Sequence, residues 1–317
     1  MADVVSMGEL LIDFVALETG VSVGDASGFV KAAGGAPANV AVAVSRLGLT
    51  SAFITQVGRD PFGDYLIGVM KDSGVDVSGI KSTDKANTAL AFVALGVDGE
   101  RSFSFYRNPS ADMLMTPEDV DMSLIDSCRA FHFGSISLIA DPSRAATLAA
   151  AQHAAESGKW VSYDPNLRLA LWPSEDAARA GMMAGLDYAT SVKISEDELN
   201  FLANGDVYQL WKQYTRLIVV THGGRGSTAY TSGGFLTVEG QSVIPVDTTG
   251  AGDAFTGGLL VKLLTTPNLD DLLEDALQLG DILHFANTVG ALACTQKGAI
   301  PALPSREEVE ALASTAG

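Results

Sequence analysis

Asp253 sits in the run Asp247-Thr-Thr-Gly-Ala-Gly-Asp-Ala-Phe255, whose residue types suit the handling of negative charge. Gly250 and Gly252 allow backbone angles that point successive N–H groups the same way, and the helix expected after them adds the partial positive charge of its first turn. The amides of Gly250, Ala251, Gly252 and Asp253 then form a cradle suited to phosphate. A carboxylate inside that mouth is poorly explained by anion binding. It is well explained as a base that takes a proton from an attacking hydroxyl. The structural alternative is a glycine turn in which Asp253 caps the helix.

Two further glycine sites accompany it. Gly34-Gly-Ala-Pro-Ala-Asn39 enters a helix expected over Val40–Leu47, where paired glycines admit a close ligand and Asn39 offers both a donor and an acceptor. A tight strand-to-helix turn capped by Asn39 explains the same residues. In Gln56-Val-Gly-Arg-Asp-Pro-Phe-Gly63, Asp60 and Pro61 read as a helix cap and first helical position. Thr221-His-Gly-Gly-Arg-Gly226 ends a buried strand, the position where open α/β sheets bind ligands. No G-x-x-x-x-G-K-[ST] occurs and no G-x-G-x-x-G opens a helix after the first strand, which removes the main support for a Walker-type ATPase or a Rossmann dehydrogenase.

The elements that must carry these residues read as α/β. Short apolar runs such as Ala52–Val57, Trp160–Tyr163 and Leu217–Val220 alternate with Ala-rich helical segments such as Ser143–Ser157 and Ala251–Leu264, which predicts a mostly parallel sheet covered on both faces. Ser242–Val246 reads as a further strand-like piece before the Asp253 run. Two stretches break the rhythm. From Glu9 to Lys31 and from Thr88 to Arg107 the pattern is β without a helix, with Phe103 and Phe105 alternating with serines and Asp98-Gly99 suited to a hairpin turn. These predict a small β insertion in two segments. The acidic group Asp270, Asp271, Glu274 and Asp275 suits a solvated helix start.

Composition narrows the class. The 317 residues hold 38 acidic and 20 basic side chains, a formal charge of −18, which disfavours nucleic acid or an anionic membrane as partner. With 47% hydrophobic residues the chain can bury a sizeable core. Cys128 and Cys294 are too few for a disulfide framework and fit a reducing cytoplasm, and four scattered histidines give no zinc pattern. Asp3 stands where a signal peptide would carry positive charge, and no apolar run approaches a membrane span.

Together these residues resemble the ribokinase-like, or PfkB, sugar kinases over essentially the whole chain. Gly34–Asn39 with Gly58, Asp60 and Gly63 looks like the N-terminal family motif, and Asp247–Phe255 like the C-terminal one. Ser104–Asp112, His132–Ser137 and Tyr163–Arg168 with Trp172 are most similar to bacterial fructokinases; 2-keto-3-deoxygluconate kinases share a Tyr-Arg and an Asn-x-Arg segment. The resemblance implies a three-layer core (residues 1–12, 34–86 and 111–317) with a mostly parallel sheet, and a β lid (13–33 and 87–110) over the sugar. It implies ATP-dependent phosphorylation of a sugar primary hydroxyl, D-fructose first, with 2-keto-3-deoxygluconate or another sugar as alternative. An inactive sugar- or nucleotide-binding regulator is the reading from a different class.

The resemblance also assigns residues. Asp13, Gly34, Gly35 and Asn39 match the sugar-hydroxyl contacts, Phe105 lies on the face over the sugar, and Arg107 serves a carboxylate or the nucleotide phosphates. Asp253 matches the base, and Arg168 reaches the transferring phosphate, serves a substrate carboxylate as Arg107 could, or makes a surface salt bridge. Lys193, Ser195, Thr221, Gly223, Gly226, Gly250, Gly252 and Asn287 match the nucleotide site, although Asn287 also suits a buried helix. Where the family often has Asn-x-x-Glu, this chain has Ser195-Glu-Asp-Glu198. Glu198 then orders magnesium-bound water, or completes a capping box with Ser195. Asp247, Thr249, Ala293, Gln296 and Gly298 match a potassium site, while Ala302 replaces a serine of some ribokinases and leaves potassium activation open. A homodimer through the lid is a further expectation.

Overall fold

β1 (Val4–Met7) is wholly buried, and its neighbouring side chains enter different cores: Val4 packs on one side of the sheet and Val5 on the other. The fold is that of a computed structural model describing residues 1–95, 101–267 and 275–315. Among the described residues the central sheet has ten strands. Beside β1 lie β4 (Ser51–Gly58), β5 (Val75–Asp76) and β6 (Ile80–Thr83) on one flank, and β9 (Ala130–Gly134), β10 (Trp160–Asp164), β11 (Ser191–Ser195) and β12 (Leu217–Thr221) on the other, all parallel. An antiparallel hairpin, β13 (Ser227–Thr231) and β14 (Gly234–Val238), closes one edge, giving the order β14-β13-β12-β11-β10-β9-β1-β4-β5 with β6 also on β4.

Helices cover both faces. α1 (Ala36–Arg46), α2 (Pro61–Asp72), α7 (Ala251–Thr265), α8 (Ala276–Ala293) and α9 (Arg306–Thr315) share one core. α3 (Met122–Ser127), α4 (Ser143–Glu156), α5 (Glu175–Leu186) and α6 (Glu196–Ala203) share the other. α7 is apolar almost all round because it is buried between neighbours. Its Gly257 and Gly258 let α1 and α8 approach: added Cβ atoms would stand 2.5 Å from Ala43 Cβ and 2.9 Å from Val289 Cγ2.

A separate four-strand sheet is built from two segments: β2 (Leu11–Thr19) and β3 (Phe29–Gly34), then β7 (Leu90–Leu95) and β8 (Arg101–Tyr106), in the order β3-β2-β7-β8. Leu11 and Ile12, expected in the core, belong to its first strand. Period-two alternation divides its faces. Phe14 and Phe92 stack at 5.1 Å on one face, with Phe29, Tyr106 and Phe62 of α2 against their edges. The other face carries Asp13 above an apolar floor of Leu11, Ala91 and Phe105.

Ser242–Val246 is irregular rather than a strand, with Ile244 87% exposed, because β14 ends the sheet and offers the segment no ladder. Asp98-Gly99, the Phe103 side chain, and Asp270, Asp271 and Glu274 lie outside the described residues, but Asp275 caps α8 by accepting from the amides of Leu277 and Gln278. Cys128 and Cys294 are free thiols. Among the described residues no helix is long and apolar enough to cross a membrane.

Candidate active site

Two helix starts converge. α1 begins after Gly35 (φ 118°) and α7 after Gly250 (φ 76°), conformations that favour glycine. From their first turns Asn39 and Asp253 meet: Asn39 Nδ2 donates to Asp253 Oδ2 at 2.7 Å across 214 positions of sequence. Asn166 Nδ2 donates to Asp253 Oδ1 at 3.4 Å. Burial raises the Asp253 pKa, while the Asn39 hydrogen bond and the charges of Lys193 and Arg168 pull the other way. A carboxylate raised in this manner is better matched to accepting an alcohol proton. Gly35, not Asn39, holds the cap position of α1, and among the described residues Asn39 Oδ1 is buried without a hydrogen-bond partner.

The carboxyl ends of three neighbouring strands supply the next groups. Asp164 ends β10, Ser195 ends β11 with Lys193 two residues before it, and Thr221 ends β12, paired in register with Ser195. Lys193 Nζ donates to Asp164 Oδ2 at 3.1 Å and stands so near the anion cradle that a Cβ on Gly252 would lie 2.9 Å from it. Burial works against the Lys193 charge, but Asp164, Glu198 and Asp253 outweigh it and raise the ammonium pKa. Lys193 therefore stays charged beside the cradle. Burial pushes Asp164 up to about 6 against the pull of Lys193, with Glu198 and Asp253 adding to the rise.

Ser195 and Glu198 form the capping box of α6. Glu198 does more than cap. Its Oε2 accepts from the Ser195 amide and hydroxyl at 2.9 Å each, and its Oε1 accepts from the Leu167 amide at 2.6 Å. Burial opposes its charge, yet Lys193 and these amides more than offset that and lower its pKa. Glu198 thereby fastens the segment that carries Asn166 and Arg168. Arg168 is exposed, donates to the Leu167 carbonyl at 3.0 Å, and makes no ion pair among the described residues, so its guanidinium is not committed to a surface salt bridge.

On the lid side, Asp13 lies against Gly34, where an added Cβ would come within 2.1 Å of Asp13 Oδ2. Gly35 is as tightly placed, 2.3 Å from the Glu9 carbonyl by the same measure. Arg107, just past the last lid strand, is buried in a pair with Asp112 (Nε to Oδ2 3.0 Å) and is not an open cation. Glu9 accepts from the Ala36 amide at 3.0 Å; burial pushes its pKa up to about 7, against the pull of Arg107. Asp60 caps α2 through the amides of Phe62 and Gly63 and also accepts from Thr88 at the root of β7, so this segment is structural.

Beyond β12, Gly223 (φ 59°) and Gly226 (φ 106°) shape the turn that leads to β13. An added Cβ on Gly226 would stand 2.1 Å from the Val238 carbonyl, and Asn287 Nδ2 donates to the carbonyls of Val238 and Glu239 at 3.3 and 3.2 Å. Thr221, Gly226 and Asn287, far apart in sequence, thus frame one edge of the sheet. Asp247 Oδ1 accepts from Thr249 N and Oγ1 at 3.0 and 2.6 Å, and Asp247 Oδ2 from Gly298 N at 2.9 Å. The Cys294 carbonyl accepts from the Val246 and Asp247 amides, which brings the end of α8, near Ala293 and Gln296, to the same loop. The Asp247 carboxylate and the Cys294 carbonyl are thus held together by backbone amides and the Thr249 hydroxyl. Among the described residues no three His, Cys, Asp or Glu side chains cluster as a metal site; magnesium that arrives with phosphates and water needs few protein ligands.

Asp164, Asn166, Thr256 and Glu9 were not singled out by sequence reading. Asp164 and Asn166 lie in Tyr163–Arg168, and their signal was the Asp-Pro-Asn triplet, where Asn166 takes a left-handed turn (φ 45°) that returns its side chain to Asp253. Thr256, one helical turn after Gly252, donates to Asp164 at 3.4 Å and carries no motif of its own.

A buried carboxylate in an amide-lined helix mouth, beside a second glycine turn and a small four-strand sheet, fits a phosphotransferase with an alcohol acceptor. The chain belongs to the pfkB family carbohydrate kinases, whose profile matches residues 1–306. It is 49% identical to fructokinase-2 of Solanum lycopersicum, over 96% of this chain and 94% of that protein. Its fold is ribokinase-like. The crystal structure of a fructokinase with bound ATP from Xylella fastidiosa superposes with a TM-score of 0.92 at 37% identity, covering 100% of this chain and 99% of that one. A fructokinase from Vibrio cholerae O395 with fructose, ADP and calcium bound superposes with a TM-score of 0.85 at 36% identity, covering 98% and 99%.

Proposed function

We propose that this kinase transfers the γ-phosphoryl group of ATP to the primary hydroxyl of D-fructose, giving fructose 6-phosphate and ADP. The observation that carries the reading is the 2.7 Å hydrogen bond between Asn39 and Asp253, because it joins the first turn of the sugar-side helix to the base of the anion cradle. Asp13, Gly34, Gly35 and Asn39 hold sugar hydroxyls, and Phe105 covers the ring. Asp253 accepts the hydroxyl proton as that oxygen bonds to the γ-phosphorus and the bond to ADP breaks. The amides of Gly250, Ala251 and Gly252, with Lys193 and Arg168, stabilise charge on the phosphoryl oxygens. Thr221, Gly223, Gly226 and Asn287 hold the nucleotide, with Ser195 at the neighbouring strand end. Magnesium, its water ordered by Glu198, would neutralise phosphate charge. Potassium would sit among Asp247, Thr249, Ala293, Gln296 and Gly298 and hold the cradle loop.

Residues 13–33 and 87–110 act as a lid that excludes water from the reaction. A neutral sugar is favoured over 2-keto-3-deoxygluconate because Arg107 is already neutralised by Asp112 and Arg168 serves the transferring phosphate, which leaves neither arginine for a substrate carboxylate. A homodimer through the lid is part of the reading, supported by the exposed apolar side chains Leu17 and Val30 on β2 and β3. Two free thiols suit the cytoplasm. Competition kinetics between the two sugars, with the phosphorylated carbon identified by NMR, test the reading. Phosphorylation of fructose at the primary hydroxyl with the larger kcat/KM is expected; a larger value for the acid would replace fructose as substrate.

A further inference from the structure

Between β10 and α5 runs the segment 165–172, with Asn166 against Asp253 and Arg168 near the middle. Its near end is fastened by polar bonds: Ser135 Oγ donates to the Pro165 carbonyl and the Leu167 amide donates to Glu198. Its far end is fastened by a ring. Trp172 is 8% exposed and rests on α5 at Gly181, where an added Cβ would stand 2.3 Å from Cη2 and 2.4 Å from Cζ3. One turn further, Gly185 gives similar clearance to Tyr163, 2.6 Å from Cζ by the same measure. Residues four apart share a helix face. Glycine inside a helix is disfavoured relative to alanine, and both glycines fall where a methyl group would strike a ring.

The tie from ring to guanidinium is short. Leu171 N donates to the Arg168 carbonyl at 2.9 Å and Trp172 N to the Leu169 carbonyl at 3.0 Å, a single tight turn. Among the described residues the indole Nε1 is buried without a partner, so shape rather than polarity seats the ring. We propose that Trp172, seated in the Gly181 notch, is a positioning residue for phosphoryl transfer, setting where Arg168 stands without touching substrate. The inference rests on the reading of Arg168 as a partner of the transferring phosphate.

Steady-state kinetics of the full chain test it with Arg168→Gln, Gly181→Ala, Trp172→Phe and their combinations. Arg168→Gln is expected to lower kcat about 100-fold, and Gly181→Ala about tenfold with the sugar KM within about twofold. In the Arg168→Gln background, Gly181→Ala should cost less than about twofold, because the group it displaces is gone. Gly181→Ala with Trp172→Phe should return kcat to within about threefold of wild type, since the smaller ring leaves room for the methyl group. Should Gly181→Ala fail to fold, Trp172→Phe alone carries the same comparison: a loss of about threefold in the parent and none beside Arg168→Gln. Unchanged kcat in Gly181→Ala, or losses that multiply in the double variant, would overturn the role of Trp172 while leaving that of Arg168. Wild-type turnover in Arg168→Gln would remove the Arg168 reading, and the inference with it.

Discussion

The ammonium of Lys193 stands so close to the backbone of Gly252 that one methyl group on that glycine would lie 2.9 Å from Nζ. The amides of the helix mouth and a buried cation therefore share one small volume, and the lack of a side chain at position 252 keeps it open. Gly252→Ala should lower kcat roughly 10- to 100-fold, the cost of disturbing one or two preorganised donors. Because the displaced neighbour is the tip of a flexible side chain, Tm should change by only a few degrees. Turnover and thermal unfolding of the same preparation check both statements.

Asp253→Asn should retain sugar and ATP binding by calorimetry while turnover falls by roughly two to four orders of magnitude. Since burial raises the Asp253 pKa and the base must be unprotonated, wild-type kcat/KM should fall as pH drops through that raised value, at a higher pH than for an ordinary aspartate. Near-wild-type turnover of the amide variant would reject the base assignment.

Gly34→Ala tests the lid side. The new methyl group would press on Asp13 Oδ2 at 2.1 Å, so the KM for sugar should rise at least about tenfold while the KM for ATP stays within about twofold. Equal changes in both constants would mean that Asp13 does not face the sugar.

Glu9 links pH to stability. Burial raises its folded pKa to about 7 from an unfolded value near 4.5, so the folded state binds its proton more tightly. The associated stability is fully present below about pH 4.5 and is lost as pH rises toward 7, at most on the order of 3 kcal/mol. Glu9→Gln, which keeps an acceptor for the Ala36 amide, should flatten that decline. Urea midpoints at pH 5 and pH 8 should show the variant gaining on wild type only at the higher pH.

Asp60 shows what local sequence can decide: the aspartate followed by proline specified a helix start, and the same side chain caps α2. Gly250, Gly252 and Asp253 were readable for the same reason, since a glycine turn entering a helix creates its anion cradle within a few residues. The alternation of Phe103 and Phe105 with serines, and the apolar runs at 52–57, 160–163 and 217–220, likewise carried their strands. Where a reading depended on an unseen neighbour, local order did not decide it. Ser242–Val246 has the apolar content of a strand but no strand to pair with, and Arg107 has the charge of an anion ligand but is taken by Asp112.

By itself, the sequence determined the alternation of elements, the inserted β sheet, the glycine turns and the family. Only the tertiary structure decided that Asn39 orients Asp253, that Glu198 fastens the Arg168 segment, and that Asp164 and Glu9 are buried carboxyls with raised pKa values. The reason is range. Backbone propensity and helix-end electrostatics act over a few residues and leave marks in local order, whereas burial and side-chain partnership are set by whatever the fold brings near, for Asn39 and Asp253 across 214 residues.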